Sequence, residues 1–128
     1  MLRKQIGIAI VECNQKYLVG TRSAGQALAG AAEFPGGKCE PDESPADCAV
    51  RECLEETGLS VEPISLLERV PFDYPHASVD LHFWLCRVTS TDCEALNGFR
   101  WVTKKELREL APKFPAANVS VVARLCAD

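Results

Sequence analysis

Residues 37–59 read GKCEPDESPADCAVRECLEETGL, and the fold is read outward from this stretch. Ser44 offers a capping hydroxyl, Pro45 a preset φ at the first helical position, and Asp47 an acid near the positive helix end. Gly58 supplies the stop. The pattern predicts a helix from Ser44 to about Thr57. At ~100° per residue, Ala46, Val50, Cys53, Leu54 and Thr57 gather on one face, the side expected to pack on a sheet. Glu52, Glu55 and Glu56 fall together on roughly the opposite side.

Like charges one turn apart repel by a few tenths of a kcal/mol. A helix needing only solubility would more often intersperse lysines among them. Three clustered carboxylates suit a hard cation such as Mg²⁺, which takes oxygen ligands and substrate phosphates together. Arg51 beside them can orient one carboxylate through a charge-assisted hydrogen bond. Three glutamates alone would still read more simply as a solvated helix face. The spacing around them reverses that reading: Gly37, five residues, Glu43, seven residues, Arg51-Glu52, apolar Cys53, then Glu55-Glu56, Gly58 and apolar Leu59. Seven fixed residues at roughly 6% usage each coincide on the order of once in 10⁸ starting positions.

This pattern resembles the signature of the Nudix hydrolases, G-x5-E-x7-R-E-U-x-E-E-x-G-U, where U is apolar. Cys53 stands where the family usually has Ile, Leu or Val; a thiol packs as a small hydrophobe. Within the family the chain is most similar to the MutT-type nucleoside triphosphatases, on three further stretches. Thr21-Arg22 ends a strand where relatives place a phosphate-binding arginine. Glu33-Phe34-Pro35-Gly36-Gly37-Lys38 looks like a segment that lies along the bound nucleotide. Phe114-Pro115-Ala116-Ala117-Asn118 resembles a segment whose Asn reads the purine in 8-oxo-dGTP-hydrolysing members. An Asn side chain both donates and accepts, which suits a base edge. Ala27 and Ala32 stand where related sequences often carry larger groups. Glu94, in the short segment from Thr91 to Asn97, is the nearby candidate for the extra glutamate some relatives supply.

The resemblance implies a mixed α+β sheet sandwiched between helices (α/β/α) in a single domain over residues 1–128. It also implies Mg²⁺-dependent hydrolysis of a nucleoside triphosphate to monophosphate and pyrophosphate, with Mn²⁺ able to substitute. Gly36, Glu52, Glu55 and Glu56 would ligate the metal. Glu52 would be the general base, held by Arg51, and Glu43 would support the loop or the outer metal shell. Arg22, the Glu33–Gly37 run and Asn118 would contact substrate. Asn118 has an alternative reading as the N-cap of a last helix. Rival readings keep the reaction but change the substrate to a pyrimidine triphosphate, ADP-ribose or a dinucleoside polyphosphate. A further rival is a nucleotide sensor without catalysis, which would be free to lose acids that are all present here.

The flanking sequence fits this frame. Gln5 to Glu12 and Lys16 to Arg22 read as strands joined at Asn14-Gln15, and Ser23 to Ala32 as loop. The Pro and Gly residues from Pro35 to Gly37 suggest a sharp, irregular backbone. Val61 to Phe72, Val79 to Val88 and Phe99 to Val102 read as strands. Thr103 to Glu106 forms a capping box for a helix towards Leu110. Val121, Val122 and Leu125 form the apolar stripe of a last helix. His76 reads as a loop residue and His82 as a sheet residue, with Trp84 and Trp101 in the core.

Composition narrows the classes. The 128 residues carry a net charge of −4 and 25% charged residues, without the basic balance of a nucleic-acid binder. Ile6 to Val11 is too short for a signal h-region, and no run approaches the ~20 residues of a membrane span. Seven cysteines without a C-x-x-C pair suggest free thiols in a reducing cytoplasm. A P-loop fails on spacing, since Gly30 lies seven residues before Gly37 and Cys39 replaces the Ser or Thr. A structural zinc site lacks paired ligands. The expected partner is a small nucleotide, with the chain a monomer or homodimer.

Overall fold

The computed structural model describes residues 3–26 and 28–128; Met1, Leu2 and Ala27 lie outside the described residues. These form seven strands and three α-helices: β1 Lys4–Cys13, β2 Lys16–Thr21, β3 Ala32–Glu33, β4 Gly36–Lys38, α1 Pro45–Thr57, β5 Val61–Tyr74, β6 Ala77–Val88, β7 Arg100–Thr103, α2 Lys104–Leu110 and α3 Val119–Cys126. Short 3₁₀ turns span Ala111–Lys113 and Ala116–Asn118.

The sheet is built on β1, which runs parallel to β6 from Lys4↔Val79 to Glu12↔Arg87. On its other side β1 pairs antiparallel with β4 near its start and with β2 near its end. The principal order is β3-β2-β1-β6-β5, with β7 pairing β2. Asn14 and Gln15 both take left-handed φ, 51° and 64°. They form a two-residue turn whose twist matches the flanking strands.

Successive β1 side chains point to opposite faces, and the core divides accordingly. Ile8 and Ile10 belong to a cluster with Val19, Phe83, Leu107, Val121 and Val122. Ala9 and Val11 belong to another with Leu18, Ala49, Cys53 and Cys86. Helices α2 and α3 therefore cover one face and α1 the other, giving the expected α/β/α layering. Each buried face explains why Gly7–Val11 is an apolar run rather than an alternation.

The helix ends follow the sequence. Asp47 N–H donates to Ser44 Oγ at 3.1 Å, and Gly58, at φ 78°, donates to the Leu54 carbonyl. Thr103 and Glu106 cap α2 reciprocally. Trp84 and Trp101 are half-buried against the α1-side cluster, as expected of core residues.

Three expectations need correction. The backbone bends at Pro35 as expected, but the glycines are not irregular: Gly36–Lys38 is a strand on β1, with Ile8↔Gly36 and Ile6↔Lys38 opposed. Ala32, expected in a loop, is buried in β3 opposite Thr21. The buried face of α1 is Cys48, Ala49, Cys53 and Thr57, while Leu54 is 49% exposed. Small side chains set this face because the helix lies close to β1 at Gly7. A Cβ there would stand 2.5 Å from the Pro45 carbonyl oxygen and 2.8 Å from Cys48 Cβ.

Candidate active site

The α1 rotation decides what its acids can reach. Glu52 and Glu56, one turn apart, face β4 rather than solvent, and both line a cavity of ≈ 380 Å³. Gly37 lies directly under the Glu52 carboxylate: a Cβ at that position would be 2.5 Å from its Oε2. Gly36 is equally constrained, with a Cβ there 2.6 Å from the Gly7 carbonyl oxygen. Both glycines serve close approach, not a special φ.

Arg51 is the hub behind these acids. It grips Glu43 in a bidentate pair, Nε to Oε2 at 2.7 Å and NH2 to Oε1 at 2.8 Å. It also donates through NH1 to Glu52 at 2.9 Å and Glu55 at 3.1 Å, and through NH2 to the Lys38 carbonyl at 3.2 Å. The fork shape of guanidinium suits this task, where a lysine would act only as a point charge. The Arg51 guanidinium, with the Glu40 backbone N–H, holds the Glu43 carboxyl down to about 2 from an ordinary 4.5. A depressed carboxylate stabilises the fold fully above its unfolded value, and that stability is lost as pH falls through its folded value. Chemical denaturation between pH 5 and pH 2 should therefore show Glu43→Gln losing less stability on acidification than the parent.

Glu56 is in the opposite condition. Burial, then the charges of Glu52 and Glu33, pushes its carboxyl up to about 7, against the Gly36 N–H and Arg22, which pull it down. The Gly36 N–H donates to Glu56 Oε1 at 3.0 Å. Glu33 is likewise raised by burial and restrained by Arg22, whose NH1 donates to Glu33 Oε1 at 3.3 Å. The cavity thus crowds carboxylate oxygens whose mutual repulsion a cation would relieve.

At the other end the cavity is apolar and aromatic. Phe34 stacks on Phe114 with centroids 4.8 Å apart. Tyr74 accepts the Ala117 N–H through its hydroxyl at 3.2 Å, and His76 stacks on Tyr74 at 5.2 Å. Asn118, 7% exposed, lines the same space. It occupies the N-cap position of α3 but makes no side-chain capping bond.

The profile of the NUDIX domain matches residues 1–125 of the chain. The chain belongs to the Nudix family. It is 34% identical over 128 residues to the 8-oxo-dGTP diphosphatase of Escherichia coli K12, covering 98% of both chains. It is 36% identical over 122 residues to the protein of that name from Haemophilus influenzae, covering 93% of this chain and 87% of that one. The CTP pyrophosphohydrolase of E. coli K12 is 35% identical over 80 residues, covering 62% of this chain and 59% of that one. Among solved structures, a MutT from work on Aliivibrio salmonicida and Vibrio cholerae superposes with a TM-score of 0.77 at 28% identity, covering 100% of this chain and 99% of that one. The MutT protein of Methanosarcina mazei shares the fold at a TM-score of 0.78 and 24% identity, covering 96% of this chain and 92% of that one.

In this Nudix hydrolase the cavity brings together Arg22, Glu33, Phe34, Gly36, Gly37, Glu52, Glu56 and Asn118 of the residues singled out from sequence. The others stand outside it. Pro35 is buried beneath, its carbonyl accepting the Ala9 N–H at 2.8 Å, and Glu43 and Arg51 stand behind Glu52. Glu55 does not join the expected trio: its side chain is 57% exposed and paired to Arg51. Among the described residues, no three acids, histidines or cysteines are already grouped as a metal cage. Glu94 is exposed in the β6–β7 segment and does not line the cavity. Lys38, in the segment expected along the nucleotide, also lines it, and Tyr74, His76 and Gln26 do so without having been singled out. Their signal was positional: 74 and 76 bracket the turn between two long predicted strands, where binding residues concentrate. No described helix is long and apolar enough to cross a membrane.

Proposed function

We propose that this Nudix hydrolase converts an oxidised purine nucleoside triphosphate of the 8-oxo-dGTP class to its monophosphate and pyrophosphate, with Mg²⁺. The observation that carries the reading is the two-ended cavity, acidic at Glu52 and Glu56 and aromatic at Phe34, Tyr74 and His76, with Asn118 at the aromatic end. The match to the E. coli 8-oxo-dGTP diphosphatase over nearly the full length of both chains supports the same substrate class.

Nudix hydrolases generally work with a divalent metal, and the donor set here suits a hard one: carboxylates of Glu52 and Glu56 and the backbone of Gly36. Glu55 would join by turning from Arg51, a small cost for an exposed side chain. When bound, Mg²⁺ supplies charge neutralisation at the phosphates and acidifies water. Arg22, on the cavity wall, would hold a phosphate oxygen. Glu52, its carboxylate pinned between Arg51 and Gly37, would take the proton from the attacking water as the bridging P–O bond breaks. The pyrophosphate leaves on one side and the nucleoside monophosphate on the other. Glu43 keeps Arg51, and through it Glu52, in position.

Asn118 would read the base by donating and accepting at its edge. Asn118→Ala should lower kcat/KM for 8-oxo-dGTP roughly 10- to 100-fold, the size of one or two lost hydrogen bonds in a closed site. Turnover of a pyrimidine triphosphate should change by less than about threefold in the same variant. The assay is pyrophosphate release, with 8-oxo-dGTP, dGTP, CTP and ADP-ribose compared in Mg²⁺. The partial match to a CTP pyrophosphohydrolase favours CTP as the second reading, and preferential turnover of CTP would install it.

A further inference from the structure

Cys13 closes β1 and Cys93 lies in the segment between β6 and β7, 80 residues apart in sequence, yet their Sγ atoms are 3.6 Å apart. Both are half-buried free thiols, and neither lines the cavity. Each is held by its own anchor. Cys13 opposes Lys16 across the tight Asn14-Gln15 turn. The Cys93 carbonyl accepts Trp101 Nε1–H at 2.7 Å. The same segment is fastened to the end of α1, where Leu96 N–H donates to the Thr57 carbonyl at 2.9 Å and Asn97 Nδ2 to the Glu56 carbonyl at 2.8 Å.

We propose that Cys13 and Cys93 are a reversible disulfide site, oxidised by hydroperoxides, that clasps the β6–β7 segment to the end of β1. A disulfide needs the sulfurs at about 2.05 Å, so about 1.5 Å of approach closes the bond, shared between two side chains and an irregular segment. One thiolate attacks the terminal peroxide oxygen and the O–O bond breaks, leaving sulfenic acid on sulfur; the expelled oxyanion takes up the thiol's proton and departs as an alcohol or, from hydrogen peroxide, as water. The second thiolate attacks that sulfur, forming S–S and expelling hydroxide, which leaves as water with the second thiol's proton. Two thiols are oxidised and one peroxide is reduced. The Cys93 thiol is held above its ordinary range, first by its hydrogen bond to Cys13, which disfavours its thiolate. Cys53 and Cys86 are at most 1% exposed; Cys39 and Cys48 are a second neighbouring pair, but Cys48 is fully buried and its thiol donates to the Gly37 carbonyl at 3.2 Å.

The alternative is that the two thiols merely pack as small hydrophobes sharing a weak S–H···S contact. The whole chain, treated with hydrogen peroxide, alkylated without reductant and digested, separates the two by peptide mass spectrometry. The expected result is a linked pair of peptides holding Cys13 and Cys93, two hydrogens lighter than their sum and lost on adding dithiothreitol. Because the closed loop restricts the unfolded chain, Tm should rise by roughly 5–10 °C, and the rise should be absent in Cys13→Ser and in Cys93→Ser. Turnover should stay within about twofold. The proposal is overturned if Cys13 and Cys93 are recovered separately, as alkylated or sulfinic peptides, after other thiols have been oxidised. It is equally overturned by a linked pair without a Tm rise, or by a rise that persists in the serine variants.

Discussion

Glu52→Gln lowers kcat by about 10²- to 10⁴-fold, the span a positioned general base contributes, while leaving the fold in place. The amide keeps the shape of the carboxylate and can still accept from Arg51 NH1. It loses the charge that binds a cation and the basicity that receives a proton. Stability changes little because Arg51 keeps its bidentate hold on Glu43. The measurement is pyrophosphate release at saturating nucleotide and Mg²⁺, beside a thermal melt of the same preparation. Glu55→Gln is the comparison: its carboxylate stands outside the cavity, so its loss should be smaller. Equal turnover in the parent and Glu52→Gln would remove Glu52 from the chemistry.

Gly7→Ala destabilises the protein by about 3 kcal/mol, at the upper end of ordinary overpacking. The new Cβ would meet the Pro45 carbonyl oxygen at 2.5 Å, Cys48 Cβ at 2.8 Å and the Ala49 nitrogen at 2.9 Å. None of these is the tip of a flexible side chain. β1 cannot retreat, because β4 and β6 hold it on both edges around Gly7. A drop in Tm of roughly 10 °C follows for a chain of this size. Gly37→Ala should behave in the reverse manner. The atoms its Cβ would strike belong to the Glu52 carboxylate, which can swing away, so stability falls by under about 1 kcal/mol. Turnover should fall tenfold or more, because the displaced carboxylate is the one that acts. Melts and kinetics of the two variants side by side test the contrast; an unchanged Tm for Gly7→Ala would refute close helix–strand contact as its cause.

These two glycines show where local reading reaches its limit. Gly37 stood out through its spacing to Glu43 and Arg51, but the expected reason was a bend, and the structural reason is room for Glu52. Gly7 carried no signal at all inside the apolar run of β1, because its role depends on a helix that begins 38 residues later. The α1 face shows the same limit. Apolarity nominated Leu54 for burial, whereas the closeness of the layers selected Cys48 and Ala49. That choice brought Glu52 and Glu56 to the cavity and left Glu55 outside. His76 and Tyr74 carried only the positional signal of flanking a turn, because it is the β5–β6 pairing that brings that turn to the aromatic end.

What the sequence determined by itself were the features encoded within one or two turns of chain: both ends of α1, the Thr103 capping box, the Asn14-Gln15 turn, and the ordered spacing of Gly37, Glu43, Arg51 and the glutamates. Hydrogen bonds and dihedral preferences at those points depend on near neighbours, so they are legible in one dimension. The tertiary structure alone decided which carboxylates share a cavity, that Asn118 lines the cavity without capping α3, and that Cys13 meets Cys93. Those outcomes depend on layer distance and helix rotation, which packing across the sheet sets and no local run of residues encodes.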